Sequence, residues 1–302
     1  MQIGLYGLGR MGGNMARRLS RGGVTVRACN RSFEVTQGIA AEEPNVVACK
    51  DLAEMVAGLP TPRVVWLMLP AGEATDRAIA EVAALLSPGD LLVDGANGYY
   101  QDAQRRAVEL AARGLRFADV GVSGGIWGLT NGYCLMAGVS ADDAAAITPF
   151  LRVLAPTPET GWHIAGPVGA GHFTKMVHNG IEYGMMQALA EGFALMGAKK
   201  EFDLDLAAIS ELWRHSSVVR SWLLDLTADF LKNDQQLDAI APHVADSGEG
   251  RWTALESVNL GVPTPVMTLA LMSRFSSQGQ GDYANKVLAM MRKGFGGHAV
   301  QK

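Results

Sequence analysis

The hexapeptide Gly7-Leu8-Gly9-Arg10-Met11-Gly12 constrains this chain more than any other stretch. It follows directly on a short apolar run, Gln2-Ile3-Gly4-Leu5-Tyr6, and opens an amphipathic segment over residues 11–22. When a strand passes into a helix through G-x-G-x-x-G, each glycine has its own task. The first permits a tight turn, the second lets the backbone approach a pyrophosphate, and the third allows helix and strand to pack closely. The N-terminus of the helix then offers unpaired N–H groups and a positive dipole to an anion.

The rest of the first half is patterned to match. Apolar runs at 2–6, 24–28, 63–69, 90–94, 116–120, 133–137 and 162–164 alternate with amphipathic segments such as 73–86 and 101–113. That alternation predicts βαβ units and a parallel sheet. Beyond Gly169-Ala170-Gly171 the strand signals stop. Helical patterns follow at 172–199, 206–214, 218–230, 253–259, 264–277 and 282–293. The expected architecture is α/β: a doubly wound, Rossmann-type domain over 1–165, then an all-α domain over 166–302. Gly180, Gly184 and Gly192 fall inside the longest helical pattern. Each costs roughly 1 kcal/mol relative to Ala, so close helix packing is expected there.

Composition narrows the class. The chain has 302 residues, 48% of them hydrophobic and 19% charged, which makes it globular and long enough for two domains with substantial cores. A net charge of −4 gives no general attraction for nucleic acid or a membrane surface. No apolar stretch approaches the roughly 20 residues of a membrane span, and no secretory leader precedes the first strand. Cys29, Cys49 and Cys134 show neither metal spacing nor disulfide density. They read as reduced core thiols of a cytoplasmic protein.

Three further stretches carry candidate chemistry. At the end of the second strand, Asn30-Arg31-Ser32 offers a guanidinium and two small polar side chains but no carboxylate. An acidic residue there would accept from the ribose 2′-hydroxyl of NAD, whereas Arg accommodates the 2′-phosphate of NADP. The reading favours NADP and leaves NAD open. The loops Asp94-Gly95-Ala96-Asn97 and Val122-Ser123-Gly124-Gly125 lie at carboxyl ends of strands, where open α/β sheets bind ligands. The most informative block is Lys175-Met176-Val177-His178-Asn179-Gly180-Ile181-Glu182-Tyr183-Gly184. At about 100° per residue, Lys175, Asn179 and Glu182 share one stripe with His178 beside them. The other sides are mostly apolar or small, so the helix is expected to be buried. Lys175 and Glu182 stand about 10 Å apart along the axis, too far for a direct helical pair. That offset suits two groups acting on different carbons of one small substrate.

Together these blocks closely resemble the 6-phosphogluconate dehydrogenase family, the decarboxylating enzymes of the pentose phosphate pathway. The resemblance is carried by G-L-G-R-M-G-G-N at 7–14, N-R-S at 30–32, D-G-A-N at 94–97 and G-V-S-G-G at 121–125. K-M-V-H-N-G-I-E-Y-G at 175–184, G-E-G-R-W-T at 248–253 and the stretch from Arg292 to His298 complete it. It implies that Lys175 is the general base on the 3-hydroxyl and Glu182 the acid that protonates C1, with Asn179 between them. It further implies that Asn97, Ser123, Gly124, Gly125, His178 and Asn179 hold the sugar acid. Tyr183, Arg251, Arg274 and Arg292 would hold its phosphate, with His298 nearby. The expected cofactor pocket comprises Gly7, Leu8, Gly9, Arg10, Met11, Gly12, Asn30, Arg31, Ser32, Leu69, Ala71 and Asn97, and no metal is required. Arg292 and His298 come from a neighbouring subunit in the family, so a homodimer or homotetramer is implied.

The chain also departs from the family pattern. It is too short for the second helical portion of the long form, Arg251 stands where Lys is frequent, and Ala96 replaces a glycine. These features point to the short bacterial-type branch. The rival readings are a β-hydroxyacid dehydrogenase acting on an unphosphorylated acid such as 3-hydroxyisobutyrate, and a nucleotide-sensing module without turnover.

Overall fold

The computed structural model describes residues 1–296 and 299–301. Its chain divides into two compact units, Met1–Met176 and Val177–Lys302. The first is built on an eight-stranded sheet of β1 (Gln2–Tyr6), β2 (Thr25–Cys29), β3 (Val46–Ala48), β4 (Val64–Leu67), β5 (Leu91–Asp94), β6 (Arg116–Ser123), β7 (Cys134–Val139) and β8 (Trp162–Gly166). The order is β3-β2-β1-β4-β5-β6-β7-β8. β4 and β5 are buried along their whole length, as their unbroken apolar sequence requires of strands covered on both faces. The order reverses between β1 and β4. The crevice at that switch point is where such sheets take a ligand.

Two features of the sheet differ from the sequence expectation. β7 runs antiparallel to β6, because the short loop from Ser123 to Cys134 leaves no room for a crossover back to the same end. β3 is an additional strand of three residues at the sheet edge, with Val47 exposed. A run that short, buried on one side only, carries too little apolar pattern to read.

The helices of this unit are α1 (Arg10–Arg21), α2 (Phe33–Glu42), α3 (Leu52–Ala57), α4 (Glu73–Leu85), α5 (Tyr100–Ala111), the single turn α6 (Gly128–Asn131) and α7 (Ala144–Leu154). They cover an apolar core on each side of the sheet, one around Ile3, Leu5, Trp66 and Val120 and the other around Met55, Leu67, Leu92 and Phe117. Cys29 and Cys49 belong to that core, but Cys134 is exposed at the start of β7, contrary to expectation. It stands at the strand end, beyond the helical cover.

The second unit is helical. It contains most of α8 (Ala170–Ala198), followed by α9 (Leu206–Trp213), α10 (Trp222–Leu231), α11 (Glu249–Leu260), α12 (Pro265–Ser277) and α13 (Asp282–Gly296). α10 starts later than the pattern 218–230 suggested, because the Ser221 side chain accepts from Leu224 N and caps the helix there. α11 starts earlier than expected, after Gly248 at φ +104°. Its cores are small: Tyr183, Ala270 and Leu271 form one, and Phe193, Leu224 and Leu231 another. Many apolar side chains are left outside, including Leu195, Val258, Val266 and Leu269. Ile181 is 50% exposed, so α8 is not buried all round as its composition suggested. A Cβ on Gly180 would come within 2.8 Å of Thr253, in line with close packing, whereas Gly192 faces open space. Among the described residues, no helix is long and apolar enough to cross a membrane.

The start of α8 is held by a buried charge. Asp119, fully buried in the middle of β6, accepts from the backbone N–H groups of Gly169 (2.6 Å) and His172 (2.7 Å). Its carboxylate therefore caps a helix N-terminus from a neighbouring strand, where the helix dipole favours negative charge. Burial pushes the Asp119 carboxyl up, while nearby His172 and the two N–H donors pull it down; burial prevails. The helix lies unusually close to the sheet. A Cβ on Gly171 would meet the Asp119 and Met136 carbonyl oxygens at 2.5 Å, and one on Gly121 would collide with the Lys175 stem. Gly121→Ala is therefore expected to lower stability by about 1–3 kcal/mol through overpacking. The readout is a lower midpoint in urea unfolding of the full chain, and an unchanged midpoint would refute this seating of α8.

Candidate active site

The glycine-rich turn is shaped to receive a diphosphate. Gly7 adopts φ +99°, and a Cβ there would collide with the Met68 carbonyl of β4's extension. Gly9 caps α1 without any side-chain hydrogen bond, and no acidic residue occupies the first turn. Above Gly9 there is nothing within 4 Å of a would-be Cβ, so the N–H groups of the helix end face open space. A Cβ on Gly12 would strike the Gly7 carbonyl, which explains the third glycine. These donors fit the pyrophosphate of a dinucleotide, with no competing side chain. A cavity of about 420 Å³ lies on the α2 side of the turn, lined by Leu8, Gly9, Arg10, Asn14, Val35 and Ile39 among others.

The remaining candidates for the cofactor divide by what they touch. The Asn30 side-chain oxygen accepts from Leu8 N (3.0 Å) and its amide donates to the Ser32 carbonyl (3.3 Å), so Asn30 ties β2 to the turn. Ser32 donates its hydroxyl to Glu34 (2.7 Å). Of the three residues grouped in the sequence, Arg31 alone is exposed with no hydrogen bond or ion pair among the described residues. Arg10 and Ala71 are exposed, Met11 and Leu69 half-buried. The Leu69 side chain lies 2.8 Å from where a Gly7 Cβ would be. Glu34 was not anticipated; its distance of two residues from Ser32 was the available signal.

On the same unit, the loop after β5 is built by a buried ion pair. Asp94 accepts from Arg106 (2.8 Å) and from Ala96 N (3.0 Å), which bends the chain and leaves Asn97 exposed beyond it. Arg106 also donates to Asp76 (3.0 Å). At the end of β6, Ser123 and Gly124 are half-buried and Gly125 exposed, with the two glycines at φ +123° and +54°. Lys175 is 7% exposed, its stem laid against Gly121. Among the described residues no cluster of three or more His, Cys, Asp or Glu could hold a metal ion.

The second unit contributes the other candidates. Asn179 is buried on α8, and its side-chain oxygen lies 3.0 Å from His178 Nδ1. Glu182 approaches the same His178 nitrogen at 3.9 Å, with its own side chain 40% exposed. Lys175 and Glu182 occupy one uninterrupted helix, about 10 Å apart along its axis. Next to Glu182 in the chain, Tyr183 is buried under the Arg274 guanidinium, which stacks on its ring at 3.4 Å. Arg274 donates to the Ala245 carbonyl (2.6 Å), and Tyr183 Oη lies 3.4 Å from Ser247 N. Arg251 stacks over Phe275 and forks onto Asp246 at 2.9 and 3.0 Å. That fork holds the Asp246 carboxyl below its ordinary range, against the opposing effect of its partial burial. The structure thus gathers Tyr183, Arg251 and Arg274 around the loop 245–248 that leads into α11. Arg292 is exposed on α13 and shares no hydrogen bond or ion pair with them among the described residues. His298 lies outside the described residues.

Comparison with known proteins identifies the family. Residues 2–164 match the model of the NAD binding domain of 6-phosphogluconate dehydrogenase, and residues 171–296 that of the 6-phosphogluconate dehydrogenase C-terminal domain. The NAD(+)-dependent, decarboxylating 6-phosphogluconate dehydrogenase of Haloferax volcanii is 35% identical over 303 residues, covering 100% of this chain and 99% of that protein. The solved 6-phosphogluconate dehydrogenase of Plasmodium falciparum, studied with NADP+ and with 6-phosphogluconate, superposes with a TM-score of 0.84 at 28% identity. The match covers 100% of this chain and 66% of that one. A 3-hydroxyisobutyrate dehydrogenase from Salmonella typhimurium shares the fold, with a TM-score of 0.75 at 21% identity over 93% of this chain and 95% of that one. With both domain models matched in order and the glycine-rich turn formed as they require, the chain belongs to the 6-phosphogluconate dehydrogenase family, whose members are NAD(P)-dependent enzymes.

Proposed function

We propose that this protein oxidises and decarboxylates 6-phosphogluconate to ribulose 5-phosphate and CO₂. The observation that carries the reading is a buried lysine and a partly exposed glutamate on one helix, followed by a tyrosine–arginine cluster suited to a phosphate. In this reading residues 1–165 hold the cofactor, and residues 166–302 hold the substrate and the subunit interface. A bound nicotinamide supplies the acceptor for the hydride that leaves C3.

Lys175, neutral at that moment, takes the proton of the 3-hydroxyl as the C3–H bond breaks. The resulting β-keto acid loses CO₂, and the electron pair of the broken C–C bond passes into an enolate. The Lys175 ammonium gives its proton to the enolate oxygen, and Glu182 protonates C1 to yield the ketose. Asn97, Ser123, Gly124, Gly125, His178 and Asn179 orient the sugar acid between these groups. Arg251 and Arg274 pair with the phosphate, because forked guanidinium donors match its oxygens. Asp246 must share or surrender the Arg251 fork when the phosphate arrives. Arg292 and His298 complete the set from a neighbouring copy of the chain. The apolar side chains left uncovered on the helical unit support a homodimer or homotetramer; the reading places the enzyme in the cytoplasm.

The arginine cluster separates this reading from a dehydrogenase of unphosphorylated acids, which has no dianion to neutralise. Initial rates with 6-phosphogluconate and 3-hydroxyisobutyrate, each with NAD and NADP and with CO₂ release followed, provide the test. The phosphorylated acid is expected to have a kcat/KM at least about 100-fold higher, as one or two charge-assisted hydrogen bonds would give. Faster turnover of 3-hydroxyisobutyrate would refute the assignment. Lys175→Met is expected to lower kcat by about 10²–10⁴ while cofactor affinity in calorimetry stays within a few-fold. A large loss of cofactor binding would show that Lys175 belongs to the cofactor pocket instead. Arg251→Ala is expected to raise KM for 6-phosphogluconate by about 10–100-fold with a much smaller change in kcat; an unchanged KM would remove Arg251 from the phosphate site.

A further inference from the structure

At the start of α2, five residues beyond β2, stands a carboxylate that the phosphate-binding reading of Asn30-Arg31-Ser32 left out. Glu34 is the acidic residue in the first turn of α2, whose N-cap is Ser32. Ser32 makes no side-chain capping bond to that helix; its hydroxyl is turned to Glu34 at 2.7 Å. The Ser32 hydroxyl and the backbone N–H of Glu34 hold the Glu34 carboxyl below its ordinary range. Asn30 is committed to the glycine-rich turn through Leu8 N and to the Ser32 carbonyl. Of the groups that could take a 2′-phosphate, the serine donor and a helix N–H are therefore already given to an internal anion, and Arg31 is what remains.

Charge decides what such a site tolerates. A 2′-phosphate placed against Arg31 and Ser32 would stand beside the Glu34 carboxylate and compete with it for the same donors. A ribose 2′-hydroxyl brings no charge and meets no such repulsion. We propose that Glu34 is a cofactor-discriminating residue, an internal competitor of the 2′-phosphate, through which the chain binds NAD at least as tightly as NADP. The proposal rests on the nucleotide-binding unit and not on the identity of the substrate.

The test is the ratio of NADP to NAD dissociation constants, measured by calorimetry on the full chain without substrate. Its outcome is therefore separate from that of the turnover assays. Glu34 lies on the exposed surface, so Glu34→Gln is expected to keep the fold and to leave NAD binding within about threefold. The same substitution is expected to tighten NADP about five- to tenfold at low salt, with a smaller gain at high salt, as screened like-charge repulsion requires. Arg31→Ala is expected to move the ratio the opposite way. A ratio that Glu34→Gln leaves unchanged, or a parent chain that binds NADP more than tenfold tighter than NAD, would overturn the proposal.

Discussion

The placement of Lys175 depends on a carboxylate that never meets solvent. Asp119 sits in the middle of β6 and takes the N–H groups of Gly169 and His172, so the first turn of α8 is tied to the sheet rather than capped by its own residues. Such a buried anion would be costly alone. Two directed N–H donors and the helix dipole offset part of that cost, and in return the helix gains a fixed origin. Close approach of backbone at Gly171 and Gly121 then sets its distance from the strand. Lys175 follows one turn after His172, with its stem laid against Gly121.

The cofactor side uses the opposite device. At Gly9 the end of α1 is left without a cap, an acidic neighbour or a covering atom. Its unsatisfied donors are kept for a ligand. At the start of α2 the same kind of helix end has been filled from within by Glu34 and Ser32. Two helix N-termini in one unit are thus treated differently, one left open to a diphosphate and one occupied by a carboxylate. The difference lies in side chains two or three positions from the cap.

The helical unit holds its arginines in a pre-formed polar cluster. Arg274 lies flat on Tyr183, and Arg251 is stacked on Phe275 and forked onto Asp246. Both guanidinium groups lie against aromatic faces, which fix their planes. Apolar side chains nearby remain uncovered while the cores within the unit are small.

Much of this was legible in the sequence because it rests on local rules. The period-2 and period-3.6 patterns, the three glycines of the first turn and the single stripe carrying Lys175, Asn179 and Glu182 each follow from backbone geometry within a few residues. The sequence could not show that β7 turns back antiparallel, that β3 pairs at the edge, or that Ile181 and Cys134 lie exposed. Those outcomes depend on which surfaces meet, and no local pattern encodes that. It also could not show that Asn30 and Ser32 are spent on Leu8 and Glu34, or that Asp246 already holds Arg251. A side chain's residue type states which bonds it can form; only the folded structure, by setting distances of about 3 Å between particular groups, decides which of them it makes.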